Sequence, residues 1–168
     1  MSPSLRSPRL LLRPACLDDV DALLDLVADG AGSSVDHRAR ITALVAGSLE
    51  WFPRYRYGLW ILVQPPLAAP VGWCGLRPRE SPTEPELLYG LAPAVRGRGL
   101  ATEAARTVLT WLRDRPDIVR VWAVTDPPNA ASIRVLERLG MRLERQGEVD
   151  GVDRLFYRLP AAPADHLQ

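Results

Sequence analysis

Apolar residues recur every three to four positions in four segments of the chain, a spacing that predicts amphipathic helices. Prolines, glycines and short polar residues mark their ends, because these residue types cap or interrupt helices. The predicted helices are Leu17 to Val27, followed by Gly30 and Gly32; a second that starts at Ser33 or Ser34 and stops before Pro53; Ala101 to Leu112; and Asn129 to Leu139, followed by Gly140.

Shorter apolar runs between turn residues predict seven strands. They are Arg9 to Arg13, Tyr57 to Val63, Val71 to Leu76, Glu86 to Leu91, Ile118 to Val124, Met141 to Val149 and Val152 to Leu159. Asp150-Gly151 is a strong two-residue hairpin signal between the last two strands. No repeat and no low-complexity linker divides the pattern, so we predict one α/β (α+β) domain over residues 1–168, with a core from about 8 to 160 and frayed ends.

Charge and composition narrow the class of protein. The chain has 21 basic and 20 acidic residues, all the basic ones are arginine, and the signs are interspersed. A nucleic-acid-binding protein should carry an excess or a stripe of positive charge. No apolar run approaches the roughly 20 residues that span a bilayer, and the N-terminus lacks the apolar core of a signal peptide. Cys16 and Cys74 form no metal-ligand pattern, and we expect a reduced, cytoplasmic protein without a metal site.

The segment from Arg96 to Ala101 joins a predicted strand to a predicted helix and contains two glycines. Glycines let the backbone approach a ligand, and the helix start presents free N–H groups and the positive end of a dipole, an arrangement that suits a pyrophosphate. A plain strand-to-helix turn would use the same residues. The spacing matches neither a dinucleotide-binding fingerprint nor a P-loop.

The stretch from Leu88 to Ala104 resembles the GNAT N-acetyltransferase family, in which Arg96-x-x-Gly99-x-Ala101 matches the pyrophosphate-loop pattern. Asn129-Ala130-Ala131-Ser132 and Leu139-Gly140-Met141 follow in the family's order. The opening from Arg9 to Pro14 and the ending Val149-Asp150-Gly151 resemble the RimJ/RimL branch. The resemblance covers about residues 8–160.

The resemblance implies acetyl transfer from acetyl-CoA to a primary amine. It implies the GNAT fold, with a central mixed, mostly antiparallel sheet of about seven strands and four helices, splayed between the fourth and fifth strands around the pantetheine arm. Backbone groups of Tyr89, Gly90 and Leu91 would bind the pantetheine amides. The pyrophosphate loop would comprise Arg96, Gly97, Arg98, Gly99, Leu100, Ala101 and Thr102.

By the same resemblance, Asn129 would contact the cofactor and Ser132 would protonate the departing thiolate. Many family members carry a tyrosine acid four positions after this serine, where this chain has Leu136. From the residues alone, Asn129 is a good helix N-cap. We expect Glu103 to be a surface carboxylate that complements the helix dipole.

The ammonium must lose a proton before it can attack the thioester carbonyl, and a carboxylate could take that proton, directly or through water. Glu86, at the start of its strand, is the candidate base; Glu80 and Glu84 on the preceding loop are alternatives, and all three could instead be solvated acids. Trp51 and Trp73 are candidates for the acceptor site. Cys74 reads as a core residue, which favours direct transfer over a covalent enzyme intermediate.

The acceptor is either a protein N-terminal α-amine or a small molecule, and the three glutamates faintly favour a polycation. A non-catalytic CoA-binding or regulatory module on the same fold is the alternative function. We expect a monomer or a homodimer, with acetyl-CoA and the amine as its partners.

Overall fold

One mixed sheet organises the protein in a computed structural model, which describes residues 2–27 and 34–160. Its strand order is β1-β2-β3-β4-β5-β6-β8-β7, and only β5 and β6 run parallel to each other. The strands are β1 (Leu5–Arg6), β2 (Leu11–Pro14), β3 (Leu59–Val63), β4 (Pro70–Arg77), β5 (Glu86–Leu91), β6 (Trp122–Thr125), β7 (Arg142–Val149) and β8 (Val152–Arg158).

Four α-helices pack on this sheet: α1 (Val20–Val27), α2 (Ser34–Tyr55), α3 (Leu100–Leu112) and α4 (Ala130–Arg138). A 3₁₀ turn over Leu17–Asp19 precedes α1, so the helix starts later than predicted. The prediction that Pro53 stops α2 was wrong. Pro53 lies in the last turn, where one lost hydrogen bond is tolerated. The helix ends at Tyr55, and the next residue, Arg56, has a left-handed φ of 59°.

The core lies on both faces of β3, whose five residues are all buried. Trp60 and Leu62 pack into the cluster that includes α3, while Leu59 and Ile61 pack into the cluster beneath α1 and α2. Because strand side chains alternate between faces, this single strand joins both halves of the core. The predicted α/β class is confirmed: the strands form one sheet, and helices cover both of its faces.

The sheet opens between β5 and β6. Only Glu86 and Trp122 pair there, at the start of both strands, and the later residues of β5 have no ladder partner on that side. The predicted strand from Ile118 was too long, because the residues before Val121 form no ladder and Val119 N–H bonds to Thr83 C=O instead. The predicted splay is confirmed, although it falls between the fifth and sixth strands.

An additional strand near the N-terminus shifts the position of the splay by one strand. Leu5–Arg6 forms an extra edge strand against Leu11–Leu12, giving eight strands where about seven were expected. The first predicted strand starts at Leu11 instead of Arg9, whose side chain is engaged elsewhere. The Asp150-Gly151 hairpin is confirmed, with both residues at positive φ.

Some expectations fall outside the described residues, namely those on Gly30, Gly32 and Ser33. Across residues 2–27 and 34–160, no helix has the length and apolar character to cross a bilayer. Within the same ranges, no group of three or more His, Cys, Asp or Glu side chains is placed to hold a metal ion.

Candidate active site

Two cavities meet at the opening between β5 and β6. The first, here the α3 groove, has a volume of about 600 Å³ and follows β5, the loop before α3 and the start of α4. The second, here the α2 cavity, has a volume of about 720 Å³ and lies between α2, β4, β5 and β6. Their linings have only three described residues in common: Tyr89, Asn129 and Ser132.

The α3 groove has the features of an anion site. Gly97 and Gly99 both have φ of +76°, a conformation that glycine adopts at little cost. No hydrogen bond among the described residues uses the N–H groups from Gly97 to Thr102. The buried Thr102 hydroxyl also lacks a partner there. An uncapped helix start with an unsatisfied hydroxyl fits the phosphates of coenzyme A.

A clip from the N-terminal segment holds this loop. Arg9 Nη1 donates to the Arg98 carbonyl at 2.9 Å, and Arg9 Nε donates to Glu103 Oε2 at 2.6 Å. Ser7 Oγ donates to Glu103 Oε1 at 2.6 Å. Burial alone would raise the pKa of Glu103, but the hydrogen bonds from Ser7 and Arg9 lower it below its usual value. The expectation that Glu103 is a solvated surface acid was therefore wrong.

Arg96, which begins the predicted pyrophosphate pattern, turns its guanidinium towards the strand. Its Nε donates to the Leu91 carbonyl at 3.1 Å, so the side chain fixes the end of β5. Arg98 contributes its carbonyl to the clip described above. Within the described chain, the predicted loop residues therefore offer the groove backbone N–H groups more than side-chain charge.

The shared residues form a hydrogen-bonded group. The Tyr89 hydroxyl lies 2.8 Å from Ser132 Oγ, and Asn129 Oδ1 accepts from the Ser132 N–H at 3.1 Å, capping α4. Burial raises the pKa of Tyr89 to about 12, although the hydrogen bond with Ser132 opposes the shift. The phenol therefore stays protonated at neutral pH. Leu136, the position of the usual tyrosine, is buried in the core.

Trp73 of β4 lines the α2 cavity and covers Gly90 of β5. It pairs with Gly90 across β4 and β5, and a Cβ on Gly90 would lie 2.2 Å from the indole ring. Glycine is needed here because the ring occupies the space of a side chain. Trp51 and Trp73, the two candidates for the acceptor site in the sequence, both line the α2 cavity.

Arginines dominate the charged part of the α2 cavity. His37, Arg40, Ile41 and Leu44 lie three or four residues apart and present one face of α2 to it. The other lining residues are Ala43, Trp51, Trp73, Arg77, Leu87, Leu88, Tyr89, Ala123, Val124, Thr125, Asp126, Asn129, Ser132 and Arg154.

The predicted base candidates lie elsewhere. Glu86 is 5% exposed, and its carboxylate accepts two hydrogen bonds from Arg77 Nη2 at 3.1 Å. Glu84 accepts from the Trp122 indole at 2.9 Å, and with Glu80 it lines a separate small cavity. None of the three lines the α2 cavity. Asp126 does, in an ion pair with Arg154.

The chain is similar in sequence to one known protein family. The family model described as an acetyltransferase (GNAT) domain matches residues 9–142, about four fifths of the chain. The chain belongs to the GNAT acetyltransferase family. The family expected from the sequence is thereby confirmed, together with the mixed sheet and four helices of its fold.

Two solved acetyltransferases have a similar fold, and one curated protein is similar in sequence. A GNAT-family acetyltransferase from Bordetella pertussis is 26% identical, with a TM-score of 0.79 over 94% of this chain and 99% of its own. An acetyltransferase of Agrobacterium tumefaciens is 25% identical, with a TM-score of 0.79 over 95% of both chains. Bacillus subtilis YkkB is 36% identical over 93 residues, and the match spans about half of each protein, 54% in both cases.

RimL-type enzymes are also among the GNAT neighbours. An acetyltransferase of Salmonella typhimurium that modifies the N-terminal serine of a 50S ribosomal subunit protein is 21% identical. Its TM-score is 0.74, over 93% of this chain and 98% of its own. At this identity the similarity is one of fold.

Proposed function

We propose that this GNAT protein transfers an acetyl group from acetyl-CoA to a primary amine, with both substrates bound at once. The observation that carries the proposal is the pair of cavities that share Tyr89, Asn129 and Ser132. A donor in the α3 groove and an acceptor in the α2 cavity would meet at these three residues. Bringing two reactants together in this way lowers the barrier by pre-paying the entropy of their encounter.

The α3 groove is the donor site in this proposal. Acetyl-CoA supplies an acyl thioester, which is activated towards amines. The N–H groups from Gly97 to Thr102 and the unpartnered Thr102 hydroxyl would bind its phosphates. The edge of β5 from Tyr89 to Leu91 has no ladder partner in β6, and its backbone groups would bind the pantetheine amides. Related structures support this reading: one RimL structure is a complex with coenzyme A, and the neighbour MccE was solved with acetyl-CoA and AMP.

Ser132 protonates the leaving group in this scheme. The amine nitrogen forms a bond to the acyl carbon, the carbon–sulfur bond breaks, and the sulfur leaves with the electron pair. The single proton of the Tyr89 hydroxyl has two acceptors, Ser132 Oγ at 2.8 Å and the Ser132 carbonyl at 3.3 Å. When Tyr89 donates to Oγ, the nearer of the two, the serine's own proton is free to point into the shared region. Ser132 is then the catalytic acid, and Tyr89 and Asn129 position it.

The ammonium proton must leave before the nitrogen can attack. Glu86, the base expected from the sequence, is held by Arg77 behind the cavity wall. It could reach the acceptor only through Arg77 or water. We therefore assign the proton to water in the α2 cavity, and Glu86 to fixing Arg77 in the wall.

Direct transfer also agrees with the cysteines. Burial raises the pKa of Cys74 well above its usual value, and the side chain is fully buried, so its thiolate is unavailable. The pKa of Cys16 is likewise raised, chiefly by burial and then by its hydrogen bond with Asp19. Neither residue lines the two cavities.

Two measurements on the whole chain test the proposal. Calorimetry with CoA measures donor binding, and thiol release from acetyl-CoA with a panel of primary amines measures transfer. We expect binding and amine-dependent release. Binding without release by any amine would favour the non-catalytic CoA-binding module, and absence of binding would contradict the proposal altogether.

A further inference from the structure

The α2 cavity carries a positive wall that the transfer mechanism does not use. Its lining contains three guanidinium groups, from Arg40, Arg77 and Arg154. Among the described lining residues the only carboxylate is that of Asp126. This balance is the reverse of the acidic channel that Glu80, Glu84 and Glu86 suggested.

The arginines differ in how far their charge is compensated. Arg154 pairs with Asp126, and Arg77 pairs with the buried Glu86. Arg40 is exposed on the cavity face of α2 and forms no ion pair with any described carboxylate. Among the described residues, the cavity therefore has one guanidinium without a carboxylate partner in addition to its two paired ones.

The paired arginines keep donors to spare. Arg77 uses Nε and Nη2 on Glu86, which leaves Nη1, and its side chain is 47% exposed. A guanidinium has five N–H donors in a planar fork, which matches the oxygens of a carboxylate or phosphate. The indole rings of Trp51 and Trp73 form an apolar part of the same wall, and low polarity strengthens charge pairing.

We infer that the acceptor is a primary amine that also carries an anionic group, a carboxylate or a phosphate, which the arginine wall of the α2 cavity binds. The inference rests on the proposed function, because it takes the α2 cavity as the acceptor site. A polycation such as spermidine is disfavoured, since like charges would face each other across the cavity.

The test uses two acceptors with the same reactive amine, 4-(aminomethyl)benzoate and its uncharged amide, 4-(aminomethyl)benzamide. Each is titrated against tryptophan fluorescence, with and without CoA, and then compared by kcat/KM in the thiol-release assay. We expect the benzoate to bind and react about tenfold better, the effect of one charge-assisted hydrogen-bonded contact. A peptide pair, Ala-Glu-Ala-amide and Ala-Lys-Ala-amide, shows whether the anion can belong to a peptide.

Variants locate the effect. Arg40→Gln should reduce the benzoate preference several-fold and leave CoA affinity unchanged. Arg38→Gln is the matched control, because Arg38 lies on the same helix but pairs with Asp21 outside the cavity. It should keep the full preference.

The outcomes are separable. Equal binding of benzoate and amide, no binding of either, or a preference for spermidine would overturn the inference, even if CoA binds and acetyl transfer occurs. Loss of CoA binding would instead count against the proposed function, and the fluorescence titration without CoA would still decide the charge preference.

Discussion

The phenol oxygen of Tyr89 lies 2.8 Å from the hydroxyl oxygen of Ser132, although the two residues are 43 positions apart in the chain. Tyr89 comes from β5 and Ser132 from the first turn of α4, so the contact bridges the two elements that border the opening of the sheet. This tyrosine brings a second hydroxyl to Ser132, whereas Leu136, at the family's usual acid position, is buried in the core.

Ser132→Ala removes the proposed acid. We expect kcat to fall by about 10²–10⁴-fold, because a positioned acid contributes that much to a rate. CoA affinity should change little, since the groove keeps its backbone donors. Pre-steady-state measurements must show that chemistry limits the rate. An unchanged kcat under that condition would exclude the role.

Tyr89→Phe keeps the ring and deletes the hydroxyl. We expect kcat to fall by up to about tenfold, the effect of one neutral hydrogen bond, with a smaller change in KM for acetyl-CoA. Tyr57→Phe is the matched control. Tyr57 is also buried, and burial raises its pKa to about 12 as well. Its hydroxyl donates to the Pro82 carbonyl at 2.8 Å, and the residue lines neither cavity. An equal loss of kcat in the two variants would mean that Tyr89 serves only the fold.

The pH dependence of the rate in wild type and in Tyr89→Phe gives a second test of Tyr89. Because burial holds the pKa of Tyr89 at about 12, its phenol remains protonated at all pH values below about 10. We therefore expect the pH–rate profiles of wild type and Tyr89→Phe to be parallel from pH 6 to 10. A limb in this range that disappears with the hydroxyl would contradict the assignment of Tyr89 as a positioning residue.

Gly99→Ala tests the loop. At φ of +76° an alanine is strained by about 1–2 kcal/mol, which would disturb the backbone N–H groups that are proposed to bind the phosphates. We expect weaker CoA binding by calorimetry. Gly151→Ala is the control, since Gly151 has the same φ in a hairpin turn. A Cβ there would have no neighbour within 4 Å, and one at Gly99 would have only Arg9 Nη2, at 3.7 Å. The loop assignment is supported if the two variants lose similar stability but only Gly99→Ala loses affinity for CoA.

Glu103→Gln weakens the clip on that loop. The folded state holds the pKa of Glu103 below its usual value, so its carboxylate stabilises the fold at pH values above the unfolded pKa. This contribution is lost as the pH falls through the folded value. We expect the stability difference between wild type and variant, measured by urea unfolding, to be constant from pH 7 to 5 and to shrink below about 4.5. A difference that grows on acidification would contradict the sign of the shift.

Glu86→Gln separates a base from an anchor. If Glu86 fixes Arg77, the variant should raise KM for the acceptor and leave the shape of the pH–rate profile unchanged. If Glu86 takes the ammonium proton, the loss should be largest at neutral pH and recover at high pH, where free amine is abundant. Both proteins are compared with the same acceptor.

Local features of this chain could be predicted because local chemistry determines them. The start of α3 was placed within one residue, and Asp150-Gly151 gave the last hairpin, since glycines and apolar spacing act over a few positions. The residues that the family pattern assigned to the cofactor all line the α3 groove except Arg98. The pattern did not include four further lining residues: Ala131, Arg134, Val135 and Arg138.

Contacts between distant segments could not be predicted in this way. The Arg9–Glu103 clip and the Tyr89–Ser132 contact join elements whose side-chain directions depend on the whole sheet. Glu86 illustrates the same limit: its position beside the opening was correct, but the sequence could not show that Arg77 would occupy its carboxylate.

The division of the two cavities between different elements affects how such a protein can diverge. In the described chain, α2 lines the α2 cavity, the proposed acceptor site, and none of its residues lines the α3 groove. Mutations on one face of α2 can therefore accumulate without disturbing donor binding, and each can be selected for the amine it admits. A lineage with this architecture can acquire new acceptors through substitutions on a single helix while it continues to bind the same acyl donor.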